Sequence, residues 1–380
     1  MFERRPLFLA VGIALGTLTI SGCGSSGGGG GDSSQGVHTP SGASPGVGAS
    51  QTPTPLEPGL VRVAVADSAF DVATITNSER VIDRLDVYTG SADVSGVDEW
   101  HGNAVTSTIT GGTLGNARLD LLKIEDSQGA TLNNALDYAI GEAANRGARV
   151  INASFSRRLE ASDPRLTFNE VTSATSYQRV VDANGGKGAI YVVSAGNTGS
   201  AIDTQGKPIY ASQPGLYEMM LIAVGTTTNG DIHPSSSYPG DDAQLQARSI
   251  GTDFANRDVG AQGTSISAAR ISEYAAGIVG QWPHLTAQQA SQRLLDTASQ
   301  ESALFQQSNC GASGTLNCGA FYLGQGIADI DAALAPEGDL VVSQSQRVAD
   351  GGALAENPDF RRKIADLETQ LTTLQFSSLR

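Results

Sequence analysis

A chain of 380 residues, 39% hydrophobic, is long enough to bury one large α/β core with tails, or two small domains. Its 24 Lys+Arg against 39 Asp+Glu give a net charge of −15, which excludes a nucleic-acid or anionic-membrane role resting on charge. Much of the high glycine count, 46, sits in one tract near the N-terminus, so it says little about the core.

Arg4 and Arg5 precede an apolar run from Leu7 to Ile20. The run is too short for a transmembrane helix and of the right length for a secretory signal. Ile20-Ser21-Gly22-Cys23 resembles the bacterial lipobox, in which a small residue precedes a cysteine that is lipidated and becomes the new N-terminus. Ordinary signal-peptide cleavage beside a stray cysteine is the alternative. Residues 24–59 are Gly, Ser, Pro and Thr with few apolar side chains, and cannot offset their own ordering entropy. They read as a flexible tether with no room for a folded propeptide. The expected organisation is a signal peptide over 1–22, a lipidated Cys23 and tether over 23–59, a folded domain over 60–335, and a polar linker with a C-terminal amphipathic helix over 336–380.

Val61–Ala66 is small and apolar on both faces, as in a parallel strand covered by helices on both sides. Val105 and Ile109 follow His101 with helical spacing. Leu119–Ile124 reads as a strand, Asn133–Ala144 as a helix ending near Gly147, and Arg149–Phe155 as a strand. Ala189–Val193 is a strand running into Ser194-Ala195-Gly196-Asn197, and Met219–Val224 is another. After Ser265, the residues Ile271, Tyr274, Ala275, Ile278 and Val279 fall at i, i+3, i+4, i+7 and i+8 of one buried helix. Thr286-Ala287-Gln288-Gln289 is a capping box opening the next, which turns Leu294 and Leu295 inward. Strands alternating with helices predict an α/β fold, a doubly wound, mostly parallel sheet with helices on both faces.

Three cysteines are present. Cys310 and Cys318 flank a Gly-rich stretch and read as a small disulfide loop in an oxidising compartment. A metal site at this pair would need two further ligands nearby. Cys23 is then the odd one, which lipidation accounts for. Near the C-terminus Phe360, Ile364, Leu367, Leu371 and Leu374 form an a/d seam of about two heptads. The helix over 358–376 either docks on its own domain or meets a partner helix.

Three short segments carry the chemistry. Asp67 closes the first strand, at the carboxyl edge where open α/β sheets place their sites. His101 begins a helix beside Gly102, where other backbone can approach. Ser265 starts the strongest helix, so its own N–H and the helix dipole face any oxygen that becomes negative nearby. Each has a plainer reading alone, as a turn cap, a stray histidine or an N-cap. Together they supply an acid, a base and a nucleophile in the order Asp, His, Ser. Ser267 is a second candidate hydroxyl.

These segments resemble those of the subtilisin-like serine proteases, the subtilases, over about residues 60–335. Asp67-Ser68 is similar to the family's strand-Asp motif, His101-Gly102 with Val105 to its histidine motif, and Gly263-Thr264-Ser265 to its serine motif. Val150-Ile151-Asn152-Ala153-Ser154 is similar to the strand lining one side of the substrate cleft. Ala195-Gly196-Asn197 is similar to the oxyanion-asparagine motif, and Gly324–Asp329 to the segment that closes many such domains. The resemblance implies a serine endopeptidase in which Ser265 attacks, His101 moves the proton, Asp67 orients the imidazole and Asn197 binds the oxyanion. It also implies that a peptide lies along Ser154, Phe155 and Ser156, with Ser194, Ala195 and Gly196 opposite.

The flanks depart from the family pattern. Ala69 stands for a usual Gly, Asn103, Ala104, Thr106 and Ser107 replace most of the flank after the histidine, Ser156 replaces a cleft Gly, and Ile266-Ser267-Ala268-Ala269 replaces Met-Ala-x-Pro. No group that moves a proton or stabilises charge is lost. The expectation is a lipid-anchored enzyme of the bacterial cell envelope, acting on protein or peptide. Gly24 after Cys23 lacks the Asp resembling an inner-membrane retention signal, which points to the outer membrane of a Gram-negative cell. No cofactor is assigned, since the calcium loops of family members cannot be matched residue by residue. The alternative is a catalytically silent lipoprotein of the same fold that binds peptide or a protein partner.

Overall fold

Val61–Asp67 forms strand β1 and is buried throughout. Successive side chains of a strand point to opposite faces, so Val61, Val63 and Val65 enter one hydrophobic cluster while Ala64 and Ala66 enter another. A strand apolar on both faces belongs in the middle of a covered sheet, and that is its place in this computed structural model, which describes residues 52–131, 133–154, 175–202 and 214–336. The other main strands are β2 (Val81–Asp86), β3 (Ala117–Lys123), β4 (Val150–Ala153), β5 (Ile190–Ser194), β6 (Met220–Thr226) and β7 (Ser249–Asp253). They form one parallel sheet in the order β2-β3-β1-β4-β5-β6-β7. A short antiparallel ribbon, β8 (Ala255–Asn256) with β9 (Ala261–Gln262), follows β7.

The helices are α1 (Glu99–Thr110), α2 (Asn133–Asn145), α3 (Thr175–Gly186), α4 (Pro214–Glu218), α5 (Ala243–Arg248), α6 (Thr264–Gln281), α7 (Ala287–Asp296), α8 (Cys318–Leu323) and α9 (Ile330–Leu334). Val105 and Ile109 of α1, Ile271, Ala275 and Ile278 of α6 and Leu294 of α7 pack on one face of the sheet. Leu136 and Ile140 of α2 and Tyr177 and Val180 of α3 cover the other. The fold is therefore the expected doubly wound α/β sheet. The capping box of α7 is present: Gln289 N–H donates to Thr286 Oγ1 at 3.1 Å, and Thr286 N–H to Gln289 Oε1 at 2.9 Å.

The chain leaves β1 towards the β3 side of the sheet and leaves β4 towards the β5 side, so the strand order reverses between β1 and β4. The crevice beyond the carboxyl ends of two such strands is where an open α/β sheet holds a ligand. Asp67 ends β1 and Ser154 follows β4.

Several expectations are revised. Strands β2 and β7 were not foreseen, and β4 ends at Ala153 rather than Phe155. The segment read as tether extends too far into the domain. Thr54 N–H and Oγ1–H donate to Asp83 at 2.9 and 2.7 Å, and its carbonyl accepts from the Arg62 guanidinium. The Cys310–Cys318 disulfide is present, with Cα atoms 5.1 Å apart, and Ala312 N–H inside its loop donates to Asp241 at 3.0 Å. Residues 1–22, Cys23, the tether to residue 51, Phe155, Ser156 and the helix over 358–376 lie outside the described residues. No described helix is long and apolar enough to cross a membrane.

Candidate active site

The carboxyl end of β1 and the first turns of α1 and α6 bring Asp67, His101 and Ser265 into one line. His101 Nδ1 lies 2.8 Å from Asp67 Oδ1, and His101 Nε2 lies 3.0 Å from Ser265 Oγ. All three are buried, Asp67 completely. Asp67 Oδ1 also accepts the Ser68 N–H at 2.8 Å, while its Oδ2 is buried without a hydrogen-bond partner. With Asp67 ionised, its carboxylate accepts the Nδ1 proton, which leaves Nε2 the basic nitrogen facing the hydroxyl.

The N-cap reading of Ser265 is displaced by geometry. Ser265 is not the N-cap of α6. That position is Gly263, at φ 145° and ψ 163° in a conformation L side chains rarely adopt. Ser267 Oγ donates to the Asp253 carbonyl at 3.0 Å, so this second hydroxyl is spent on β7. Gly102 is required by contact: a Cβ there would sit 2.2 Å from the Ala69 carbonyl oxygen. The loop after β1 thus packs directly on the helix that carries His101.

The atypical flank after the histidine has a local use. Asn103 Oδ1 accepts the Asp71 N–H at 2.9 Å and its Nδ2 donates to Thr74 Oγ1 at 2.8 Å. Ser107 Oγ accepts the Thr76 N–H at 3.0 Å, and Thr110 Oγ1 donates to the Thr76 carbonyl. These polar residues fasten α1 to the 71–76 loop.

Asn197 follows β5 by three residues. Its Oδ1 accepts both the N–H and the Oγ1–H of Thr264, each at 2.9 Å. Thr264 Oγ1 in turn accepts the Gly196 N–H at 3.0 Å. Gly196 takes φ +106°, and a Cβ there would come within 3.1 Å of Ser237 Oγ. Across the crevice, Ser154 Oγ lies 2.9 Å from Asn152 Oδ1 and 3.3 Å from the Ser265 carbonyl, and Ser194 Oγ donates to the Ser154 carbonyl at 3.3 Å. Ser154, Ser194, Ala195, Gly196 and Asn197 therefore gather around the first turn of α6.

Two supports escaped the sequence reading. Glu125, fully buried after β3, accepts the Val97 and Asp98 N–H groups at 2.6 and 3.0 Å. Ser68 Oγ donates to the Asp98 carbonyl at 2.6 Å. Both fix the loop entering α1, three residues before His101. A charged residue after a strand looks like a solvated turn in sequence, and only its partners reveal the clamp. Among the described residues no group of three His, Cys, Asp or Glu side chains gathers to hold a metal.

A family model described as the subtilase family matches residues 60–313. The chain belongs to the subtilase family. It is thereby a serine-type peptidase by class. It is 28% identical over 265 residues to Subtilisin DY of Bacillus licheniformis, covering 66% of this chain and 84% of that protein. It is 27% identical over 209 residues to a thermostable alkaline protease of Halalkalibacterium halodurans, covering 52% of each. The fold is similar to that of the epidermin leader peptide processing serine protease of Staphylococcus aureus, with a TM-score of 0.51 at 17% identity over 73% of this chain and 75% of that one. A mutant of the protease domain of PatA gives a TM-score of 0.50 at 16% identity, over 72% of this chain and 93% of that one.

The Asn197–Thr264 contact gives a measurable expectation for this subtilase. Thr264→Val keeps the shape but removes one donor to Asn197 and the acceptor for Gly196. If Asn197 binds the oxyanion, losing these two hydrogen bonds, of which the one to Asn197 would act on the transition state by about 1–1.5 kcal/mol, should lower kcat about tenfold and leave KM nearly unchanged. Steady-state kinetics on a peptide substrate decides it, and an unchanged kcat would show that Thr264 does not hold Asn197 in its working orientation.

Proposed function

We propose that this subtilase is a lipid-anchored endopeptidase of the bacterial cell envelope, cleaving peptide bonds through Asp67, His101 and Ser265. The observation that carries the reading is the hydrogen-bonded line from Asp67 Oδ1 through both ring nitrogens of His101 to Ser265 Oγ.

In this mechanism Ser265 Oγ attacks the scissile carbonyl as His101 Nε2 takes its proton. The tetrahedral intermediate places its oxyanion between the Asn197 amide and the N–H of Ser265 at the positive end of α6. His101 then gives the proton to the leaving amine, and the acyl-enzyme is hydrolysed by water along the same path in reverse. Asp67 keeps the imidazole in one tautomer and stabilises the imidazolium. The substrate adds as an extended strand along Ser154, Phe155 and Ser156, with Ser194, Ala195 and Gly196 on the other side. The substrate is protein or peptide.

A fluorophosphonate probe tests the chemistry. The full chain should be labelled and its Ser265→Ala variant should not. A folded parent that takes no label would sink the reading in favour of a silent peptide-binding lipoprotein. Anchoring rests on Gly22-Cys23 after the apolar run Leu7–Ile20. In a bacterial host, Cys23→Ala should move the protein from the membrane fraction to the soluble fraction, and an unchanged distribution would remove the anchor.

A further inference from the structure

Glu273 is a buried carboxyl with no part in the chemistry above. It lies on α6, eight residues after Ser265, and is only 5% exposed. Burial pushes its pKa up, against hydrogen bonds from the Leu114 and Thr113 backbone and the charges of Arg270 and Arg80. A carboxyl buried this deeply needs hydrogen-bond partners, and holding them is its use in the fold.

That use is visible in its contacts. Leu114 N–H donates to Glu273 Oε1 at 3.1 Å. A Cβ on Gly112 would fall 1.9 Å from the carboxyl carbon, so the carboxyl lies directly on the backbone of the turn that leaves α1. The same turn touches α6 again one helical turn further on. Asn116 Nδ2 donates to the Ala276 carbonyl at 2.8 Å, and the Leu114 side chain fills the space a Cβ would take at Gly277. The same C-terminal end of α1 is held from a second side, as Arg80 and Asn77 donate to the Thr110 carbonyl at 2.7 and 2.8 Å.

Helices α1 and α6 therefore meet at two levels. At their N-terminal ends they present His101 and Ser265 to one another. At the C-terminal end of α1 the Glu273 carboxyl grips the turn over 111–114. A helix of α1's length is a rod about 18 Å long, so a shift at one end is transmitted to the other. We propose that Glu273 is a positioning residue, whose carboxyl sets the register of α1 against α6 and with it the approach of His101 Nε2 to Ser265 Oγ. The inference rests on the catalytic reading of those two residues.

The test uses the full chain and three variants, Glu273→Ala, Glu273→Gln and Gly112→Ala. Glutamine keeps an oxygen for the Leu114 N–H. The alanine at 112 displaces the carboxyl from the other side. The readouts are kcat per fluorophosphonate-titrated site, KM, and the downfield proton resonance of His101 Nδ1–H. Glu273→Ala and Gly112→Ala should each lower kcat per site about 10–100-fold, as expected for a misplacement of up to about 1 Å. KM should stay within about twofold and the resonance should move or broaden. Glu273→Gln should stay within about threefold of the parent and keep the resonance.

If the alanine variants fold with kcat per site and resonance unchanged, Glu273 only stabilises the fold and the proposal is overturned. Should Glu273→Ala not fold, Gly112→Ala decides by the same criteria. If the parent takes no label at Ser265, the catalytic reading fails first, and the resonance alone judges the register. Moved by alanine and kept by glutamine, it supports the positioning role; unmoved by alanine, it refutes it.

Discussion

Alanine at Ser265, alanine at His101, and both together should each lower kcat by about the same factor, roughly 10⁶, the size set by subtilisin itself. In the proposed mechanism the two side chains act as one unit: Ser265 Oγ, 3.0 Å from His101 Nε2, is a useful nucleophile only while Nε2 takes its proton. Once either is gone the other has nothing to do, so the double variant should fall no further. About 10³–10⁴-fold catalysis over water should survive, because the donors at the start of α6 and at Asn197 still stabilise the oxyanion. Kinetics on purified single and double variants, folded by circular dichroism, would measure this. Multiplicative losses in the double variant would mean that the two residues work independently and that the hydrogen-bonded line is not the proton path.

Asp67→Asn should leave the fold intact and cost about 10⁴-fold in kcat, the loss known for the same change in a Ser-His-Asp protease. The reason is tautomeric. Asp67 is fully buried and its Oδ1 sits 2.8 Å from His101 Nδ1. An amide NH2 there can face Nδ1 as a donor and move the ring proton to Nε2, where it blocks acceptance from Ser265. The loss should shrink as pH rises and hydroxide competes as the base, whereas a merely misfolded variant would show no such recovery. A pH–rate profile of parent and variant makes the distinction. A variant within tenfold of the parent would show that His101 needs no acid partner.

Much of the fold was legible because local rules act within a few residues. The apolar run of β1 marks a covered central strand, the i, i+3, i+4 spacing after Ser265 marks α6, and Thr286 with Gln289 marks the start of α7. Strand β2 was not legible, since Asp83, Arg84 and Asp86 break its apolar run. In the structure Asp83 pairs with Arg62 of β1 and Asp86 with Lys123 of β3, partners no local window contains. Strand β7, Ser-Ile-Gly-Thr-Asp, is too small and polar to read as buried, yet its first four residues are. Thr54 looked like tether for the same reason, as its anchor is Asp83, 29 residues away.

The sequence by itself determined which residues carry reactive groups and which element each one rides on: an acid at a strand end, an imidazole on the first turn of one helix, a hydroxyl on the first turn of another. Only the tertiary structure decided whether they meet. His101 and Ser265 are 164 residues apart in the chain, and their contact depends on how two helices lie on one sheet face. The same packing spends Ser267 on a backbone carbonyl and aligns Ser265. It also buries Glu125 and Glu273, which hold the loop before His101 and the turn after α1. Chemical identity is a property of the residue, while hydrogen-bonding distance is set by packing between distant segments.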